Sequence, residues 1–197
     1  MKKVIISFII LLLILGVTSH GFQGDDKEML TGLHHVEINV SGEGTISLEL
    51  DANKAPITVT NFVSLANSRF YDGLTFHRIM NGFMIQGGDP DGNGTGGSGK
   101  TIKGEFSANG VENDISHVRG VISMARNSVS MDSASSQFFI VHQDSTFLDG
   151  QYAAFGHVTS GMEIVDKLAE NTPIEDSNGT VLKENQPVIE SVKVLDK

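Results

Sequence analysis

The sequence predicts a mainly β domain, a closed eight-stranded antiparallel barrel capped by two α-helices. Three observations carry that expectation. About eight short runs alternate apolar with polar residues or are apolar throughout, only two stretches switch to helical spacing, and the connections are mostly short with no βαβ rhythm. Closure suits such a set because it leaves no sheet edge exposed. An open α+β sandwich is the alternative arrangement.

In chain order, residues 35–40 and 45–50 alternate and are joined by Ser41-Gly42-Glu43-Gly44, a hairpin with one wet face. Pro56 then suits a first helical turn, and Val59, Phe62, Val63 and Ala66 recur at helical spacing. The β-branched residues there weaken intrinsic propensity, so packing must hold this helix. Asp72-Gly73 turns the chain into residues 75–89, where two apolar runs flank Asn81-Gly82. Strand alternation puts Arg78 on one face with Phe76 and Met80, and puts Met84 with Gln86 opposite Ile85. A cation, an amide and a thioether then share an outer face. Taken alone, the stretch reads as a half-buried hairpin as readily as a site.

Residues 89–104 are rich in glycine, asparagine and serine, and read as a long surface loop. Residues 120–125 and 137–142 read as strands; in the second, Gln137, Phe139 and Val141 share one face and Phe138 and Ile140 the other. Residues 153–158 are another strand, and Ser160-Gly161-Met162-Glu163 forms a capping-box pattern ahead of a second helix with Ile164, Val165 and Leu168. Asn178-Gly179 marks a turn, and residues 188–195 alternate as the last strand.

The chain's 197 residues suffice for one domain with a substantial core. Its net charge of -10 repels phosphate backbones, which argues against a nucleic-acid partner. Cysteine is absent, so disulfides, thiolate nucleophiles, thiolate metal sites and lipid-bearing cysteines are excluded. Lys2 and Lys3 precede an apolar run over residues 4–17, with Thr18, Ser19 and Gly21 after it. That layout over residues 1–21 is a secretory signal, or a short N-terminal anchor if it stays uncleaved. Residues 22–33, with Asp25, Asp26 and Glu28, read as an acidic tether, leaving 34–197 as the folded domain. The expectation is an exported, periplasmic or otherwise extracytoplasmic monomer, tethered to a membrane only through its N-terminal apolar segment.

Several motifs carry less than they promise. Gly94-Thr95-Gly96-Gly97-Ser98-Gly99-Lys100-Thr101 matches the phosphate-loop pattern letter for letter. The mechanism needs a buried strand before it and a helix after it. Here Asp89-Pro90-Asp91-Gly92 leads in, and Gly104 interrupts the segment leading out, so no nucleotide is expected. The seven histidines show no i, i+4 pair, and ordinary packing or surface roles suit them better than a metal. No G-x-S-x-G elbow is present. There remains Arg78, one of four arginines, near residues that can line a shallow apolar groove: Phe76, Phe83, Met84, Phe139 and Leu148.

Here the residues resemble a family. Phe76-His77-Arg78-Ile79, Gly82-Phe83-Met84-Ile85-Gln86-Gly87-Gly88-Asp89 and Gly94-Thr95-Gly96-Gly97 are similar to the cyclophilin peptidyl-prolyl isomerases. So are Ser123-Met124-Ala125, Ser136-Gln137-Phe138-Phe139-Ile140 and Phe147-Leu148-Asp149-Gly150, in the same order and register, over residues 35–195. The resemblance implies an eight-stranded barrel with two helices and a cofactor-free, metal-free rotation about Xaa-Pro bonds of unfolded or flexible polypeptides. It implies that Arg78 is the catalytic arginine, with Phe83 and Gln86 beside it. Met84, Phe139, Leu148 and Phe147 become pocket walls, and Ala125, Arg126, Gln137, Tyr152 and His77 further substrate contacts. Phe83 fits simple pleating poorly, so the backbone must bend near Gly82.

Phe147 stands where animal cytosolic members carry Trp, Tyr152 where they carry His, Arg126 where they carry Asn and Asn81 where they carry Pro. The combination resembles bacterial members. The missing indole implies weaker cyclosporin binding, since that N–H is a donor in the family, while catalysis needs only an apolar wall there. A proline-peptide-binding module or holdase with little isomerase role is the alternative function. The intact Arg78, Gln86 and Phe139 set favours the enzyme, assisting the folding of exported proteins.

Overall fold

The computed structural model describes residues 28–195. The expected export signal and the start of the acidic tether lie outside the described residues. Leu30 packs on the core and its N–H donates to Thr60 Oγ1 at 2.9 Å, and strand β1 already begins at Leu33.

Strands β1 (Leu33–Val40) and β2 (Gly44–Asp51) pair antiparallel from Val40↔Gly44 to Leu33↔Asp51. Their alternation sends Val36, Ile38, Ile46, Leu48 and Leu50 inward, as expected of a sheet wetted on one side. Helix α1 (Pro56–Asn67) comes next, then the hairpin β3 (Thr75–Met80) and β4 (Met84–Asp89). Strands β5 (Val121–Met124), β6 (Phe138–Val141) and β7 (Ala154–Ser160), helix α2 (Met162–Asn171) and strand β8 (Ile189–Val194) complete the chain.

The eight strands form one antiparallel sheet in the order β3-β4-β6-β5-β7-β2-β1-β8. It is curled but open, which corrects the expectation of a closed barrel. No ladder joins the outer strands β3 and β8; one bridge, Thr75↔Val188, and backbone bonds from Phe76 N–H to Pro187 and Ile189 N–H to Leu74 meet at a corner. The physical reason is competition for the free edge of β3. That edge is occupied by the turn around Asn178-Gly179, with Ile79 N–H donating to Gly179 O at 2.8 Å and Val181 N–H to His77 O at 3.0 Å.

The main core lies inside the curl, where Phe62 of α1 meets Tyr71, Phe138 and Phe155 at ring separations of 5.0, 5.5 and 5.3 Å. Such ring clusters add specific geometry to burial. Helix α1 has Pro56 in its first turn but no side-chain cap from Ala55. Its free amides are met from a distance: the buried Glu105 carboxylate accepts Ile57 N–H at 3.0 Å and Thr58 N–H at 2.7 Å. The capping box expected at Ser160 does not form. Ser160 is spent as the last residue of β7, paired with Ser47, and the N-cap of α2 is Gly161 in the left-handed region with no side-chain cap.

A second, smaller cluster lies on the other face of β4, β5 and β6. It comprises Met84, Val121, Phe139, Val141, Leu148 and Ala154, with Phe83, Ala125 and Tyr152 packed on it. Strand β6 therefore buries Phe138 and Ile140 in the main core and Phe139 and Val141 outside it, as the alternation predicts.

Candidate active site

A hollow of about 290 Å³ opens against the outer cluster, lined by its Met84, Phe139 and Leu148. Strand β3 brings Arg78 to its edge by an irregularity. Phe76 faces Gly87 and Arg78 faces Gln86, so His77 is an extra residue between two paired positions. This bulge reverses the pleat. Phe76 is thereby buried in the main core, which corrects its expected place beside Arg78, while Arg78 and Met80 remain on the outer side. Gly82, at φ +79°, turns the hairpin, and Phe83 N–H closes the turn on Met80 O at 3.0 Å. Phe83 thus stands in the turn ahead of β4, the bend its place required.

The guanidinium of Arg78 is held by neutral acceptors. Its Nε donates to Asn178 O at 2.8 Å and its Nη1 to Gln86 Oε1 at 3.2 Å, and its Nη2 lies 3.0 Å from Met80 Sδ. Among the described residues no carboxylate lies within ion-pair distance of it. Burial lowers its pKa, opposed by Tyr152 and Asp176, but a guanidinium remains charged under any ordinary condition.

The amide of Gln86 is oriented from further along. Gln137 Nε2 donates to Gly96 O at 2.8 Å and Gly94 O at 3.1 Å, so Gln137 Oε1 is left to accept Gln86 Nε2 at 2.9 Å. That leaves Gln86 Oε1 facing Arg78. The backbone carbonyls settle both amide orientations in turn.

Met84 and Phe139 are the floor, buried to 1% and 5% exposure, and Leu148 is a buried wall. Phe147 is 65% exposed and leans on Phe83 with ring centroids 5.6 Å apart, an apolar rim open to a ligand. Tyr152 stands edge-on to Phe139 at 6.0 Å, and Arg126 lies over the Tyr152 ring at 4.8 Å. Ala125, Gln86, Arg126 and Tyr152 complete the lining. A neighbouring hollow of about 190 Å³ shares Gln86, Ala125 and Arg126 and is bounded by Gly94, Gly96 and Gln137.

Of the residues expected at the site, His77 is set apart. It lines neither hollow; its ring is buried, neither nitrogen has a hydrogen-bond partner, and burial lowers its pKa against the pull of Asp89. Asp89 organises the loop after β4. Burial alone would raise its pKa, but the amides of Asp91, Asn93 and Gly94 at 2.9, 3.1 and 2.5 Å bring it below the usual range. No helix begins at Thr101; the next helical residues are the single turn Ser107–Asn109.

Two histidines that the sequence leaves among the scattered ones support the hollow from beneath. His117 is buried and stacks on Phe139 at 6.1 Å and 17°. Burial lowers its pKa against the pull of Asp149, and in the neutral ring Nδ1–H donates to Asp149 at 2.8 Å while Nε2 accepts from Ser123 Oγ at 3.0 Å. Asp149 comes directly after Leu148, so the contact ties the wall to the floor. His142 Nδ1 accepts Gly82 N–H at 2.9 Å, which leaves Nε2–H to face Asp166 at 3.2 Å and steadies the turn before Phe83. Only the Asp149 motif was visible in the sequence; its distance from His117 along the chain hides the pairing.

Comparison with known proteins agrees with this architecture. Residues 35–194 match the family described as Cyclophilin type peptidyl-prolyl cis-trans isomerase/CLD. The chain is 48% identical over 139 residues to peptidyl-prolyl cis-trans isomerase B of Bacillus subtilis, covering 71% of this chain and 87% of that one. It is 41% identical over 172 residues to peptidyl-prolyl cis-trans isomerase A of Dickeya dadantii, covering 83% and 85%. Among solved structures, a Cryptosporidium parvum cyclophilin type peptidyl-prolyl cis-trans isomerase superposes with a TM-score of 0.73 at 29% identity, over 84% of this chain and 99% of that one. A second structure of that protein, in the presence of the dipeptide Ala-Pro, has a TM-score of 0.72 at 30% identity, over 83% and 99%.

Proposed function

The chain belongs to the cyclophilin-type peptidyl-prolyl cis-trans isomerase family, and from that premise we propose that it turns Xaa-Pro bonds at the Arg78 hollow, in proline-containing segments of exported polypeptides. The observation that carries the proposal is one charged donor, anchored by neutral groups, at the rim of a hollow floored by Met84 and Phe139.

Amide resonance opposes rotation with a barrier of roughly 18–20 kcal/mol, and uncatalysed Xaa-Pro exchange takes tens to hundreds of seconds. No covalent bond is broken, so no nucleophile is needed. The proline ring enters between Met84, Phe139 and Leu148 and sheds water that favours the polar planar amide. As the bond twists, the prolyl nitrogen regains a lone pair, and Arg78 donates to it. That acceptor exists only in the twisted form, so the bond lowers the barrier without tightening the ground state. Gln86 keeps the guanidinium in place and the peptide backbone beside it.

The export reading rests on the Lys2-Lys3 start and the apolar run after it. Detecting the chain in an extracytoplasmic fraction with its first residues removed would support it; a full-length protein in the cytosol would defeat it. Arg78→Ala is expected to lower catalysed exchange of an Xaa-Pro peptide by at least about tenfold, one 1.4 kcal/mol step, with the circular dichroism spectrum unchanged. Two-dimensional NMR exchange measures this directly. Undiminished exchange in a folded variant removes Arg78 from the role, and binding without exchange in the unaltered protein would favour a binding module.

A further inference from the structure

Two of the four arginines face carboxylates and two do not. Arg69 donates to Asp72 at 2.7 Å, and Arg119 grips Asp166 with both Nη atoms at 2.6 and 2.7 Å. Arg78 and Arg126 stand at the hollow, and among the described residues neither has a carboxylate within ion-pair distance. In a chain with 24 acidic and 14 basic residues, no carboxylate side chain lines either hollow. Arg78 is already engaged with the amide to be twisted. Arg126 is not.

Arg126 is nonetheless held firmly. Its Nε donates to Gln151 O and its Nη1 to Asn127 O, both at 2.9 Å, and its guanidinium lies over the rings of Tyr152 at 4.8 Å and Phe106 at 5.4 Å. A guanidinium carries five N–H donors in a flat fork, so about three remain for a ligand. With Gln86 and Ala125, Arg126 belongs to both hollows and so stands on the saddle between them. A chain whose proline fills the larger hollow and whose next residues cross to the smaller one passes beside this fork.

We infer that Arg126 selects substrates by charge, pairing with the carboxylate of an Asp or Glu side chain adjacent to the proline. A pre-oriented fork matches a carboxylate in two parallel hydrogen bonds, and stacking on Tyr152 removes the entropy cost of aiming it. A lysine at the same place in the substrate is repelled. The inference rests on the isomerase reading and adds its substrate class. Were Arg126 only a staple between the 127 and 151 segments, charge on the substrate would not matter.

The test uses N-acetylated, C-amidated peptides, so that only one side chain carries charge, with Glu, Gln or Lys placed on each side of the proline in turn. NMR exchange gives kcat/KM for each. At low salt the preferred position should show Glu ahead of Gln by about two- to fivefold, the range of a solvent-facing ion pair, with Lys behind Gln. The preference should shrink as salt rises. In Arg126→Gln the Glu-to-Gln ratio should fall to about one, and in Arg126→Lys part of it should return. The ratio is internal to each variant, so incomplete folding does not distort it. A ratio of one in the unaltered protein at both positions, or an unchanged ratio in Arg126→Gln, overturns the inference while leaving the isomerase intact. Failure to accelerate any of these peptides would instead overturn the isomerase reading itself.

Discussion

A cation beside a proline helps only if it is already pointing the right way when the bond begins to twist. Arg78 is aimed by Gln86, which is aimed by Gln137, which is fixed by the Gly94 and Gly96 carbonyls. Side chains linked in this way act as a unit, and their contributions do not add. Gln137→Leu should therefore lower kcat/KM by about tenfold, the worth of one well-placed hydrogen bond of about 1.4 kcal/mol. The double variant Gln86→Leu/Gln137→Leu should fall little further than the worse single one. Additive losses in peptide exchange rates would mean that the two amides work independently.

Three elements depend on a local departure from regularity or on a distant partner. The bulge at His77 in β3 is what separates Phe76 from Arg78, sending one inward and the other outward. In β4, Gly88 has φ +81° and a Cβ there would sit 2.6 Å from Ser136 O, so only glycine lets the strand pass. Helix α1 depends on a residue far from it in sequence. Glu105→Ala leaves the Ile57 and Thr58 amides without their carboxylate and should cost about 2–3 kcal/mol, as expected for charge-assisted bonds at a helix N-terminus. Glu105→Gln, which keeps a single acceptor oxygen, should recover about half. Urea unfolding midpoints would show the order; equal stability of Glu105→Ala and the unaltered chain would refute the remote cap.

At the scale of the whole molecule, two buried histidines make the fold sensitive to mild acid. Burial lowers the pKa of both His77 and His117 below the ordinary 6.5, so the unfolded chain takes up protons first as the pH drops. Stability is full above that value and declines as the pH falls toward the folded pKa, by at most about 1.4 kcal/mol per pH unit for each group. Asp89 and Asp149 lie below the usual 3.8, so their contribution is present above that value and is lost in a second, more acid window. His77 has no hydrogen bond to lose, and His77→Phe should flatten the first window while changing the second only through the weak pull of His77 on Asp89. Urea titrations between pH 4 and 8 would read this slope; an unchanged slope would assign the acid sensitivity elsewhere.

Most of the elements were legible in the sequence because each depends on neighbours a few residues away. Alternation found β1, β2 and the two faces of β6, helical spacing found α1, a capping pattern that does not form still marked the start of α2, and Asn81-Gly82 found the central turn. The residues that the motifs put forward for the site, His77 apart, gather around the two adjoining hollows. What needed three dimensions was every choice among competing partners. Ser160 joined a strand instead of capping a helix, Glu105 capped a helix it does not adjoin, and the Asn178 turn took the β3 edge that would have closed the sheet. A hydrogen-bonding group with more than one available partner is committed by the distances of the finished fold, and those distances are set by packing between segments the chain order keeps far apart.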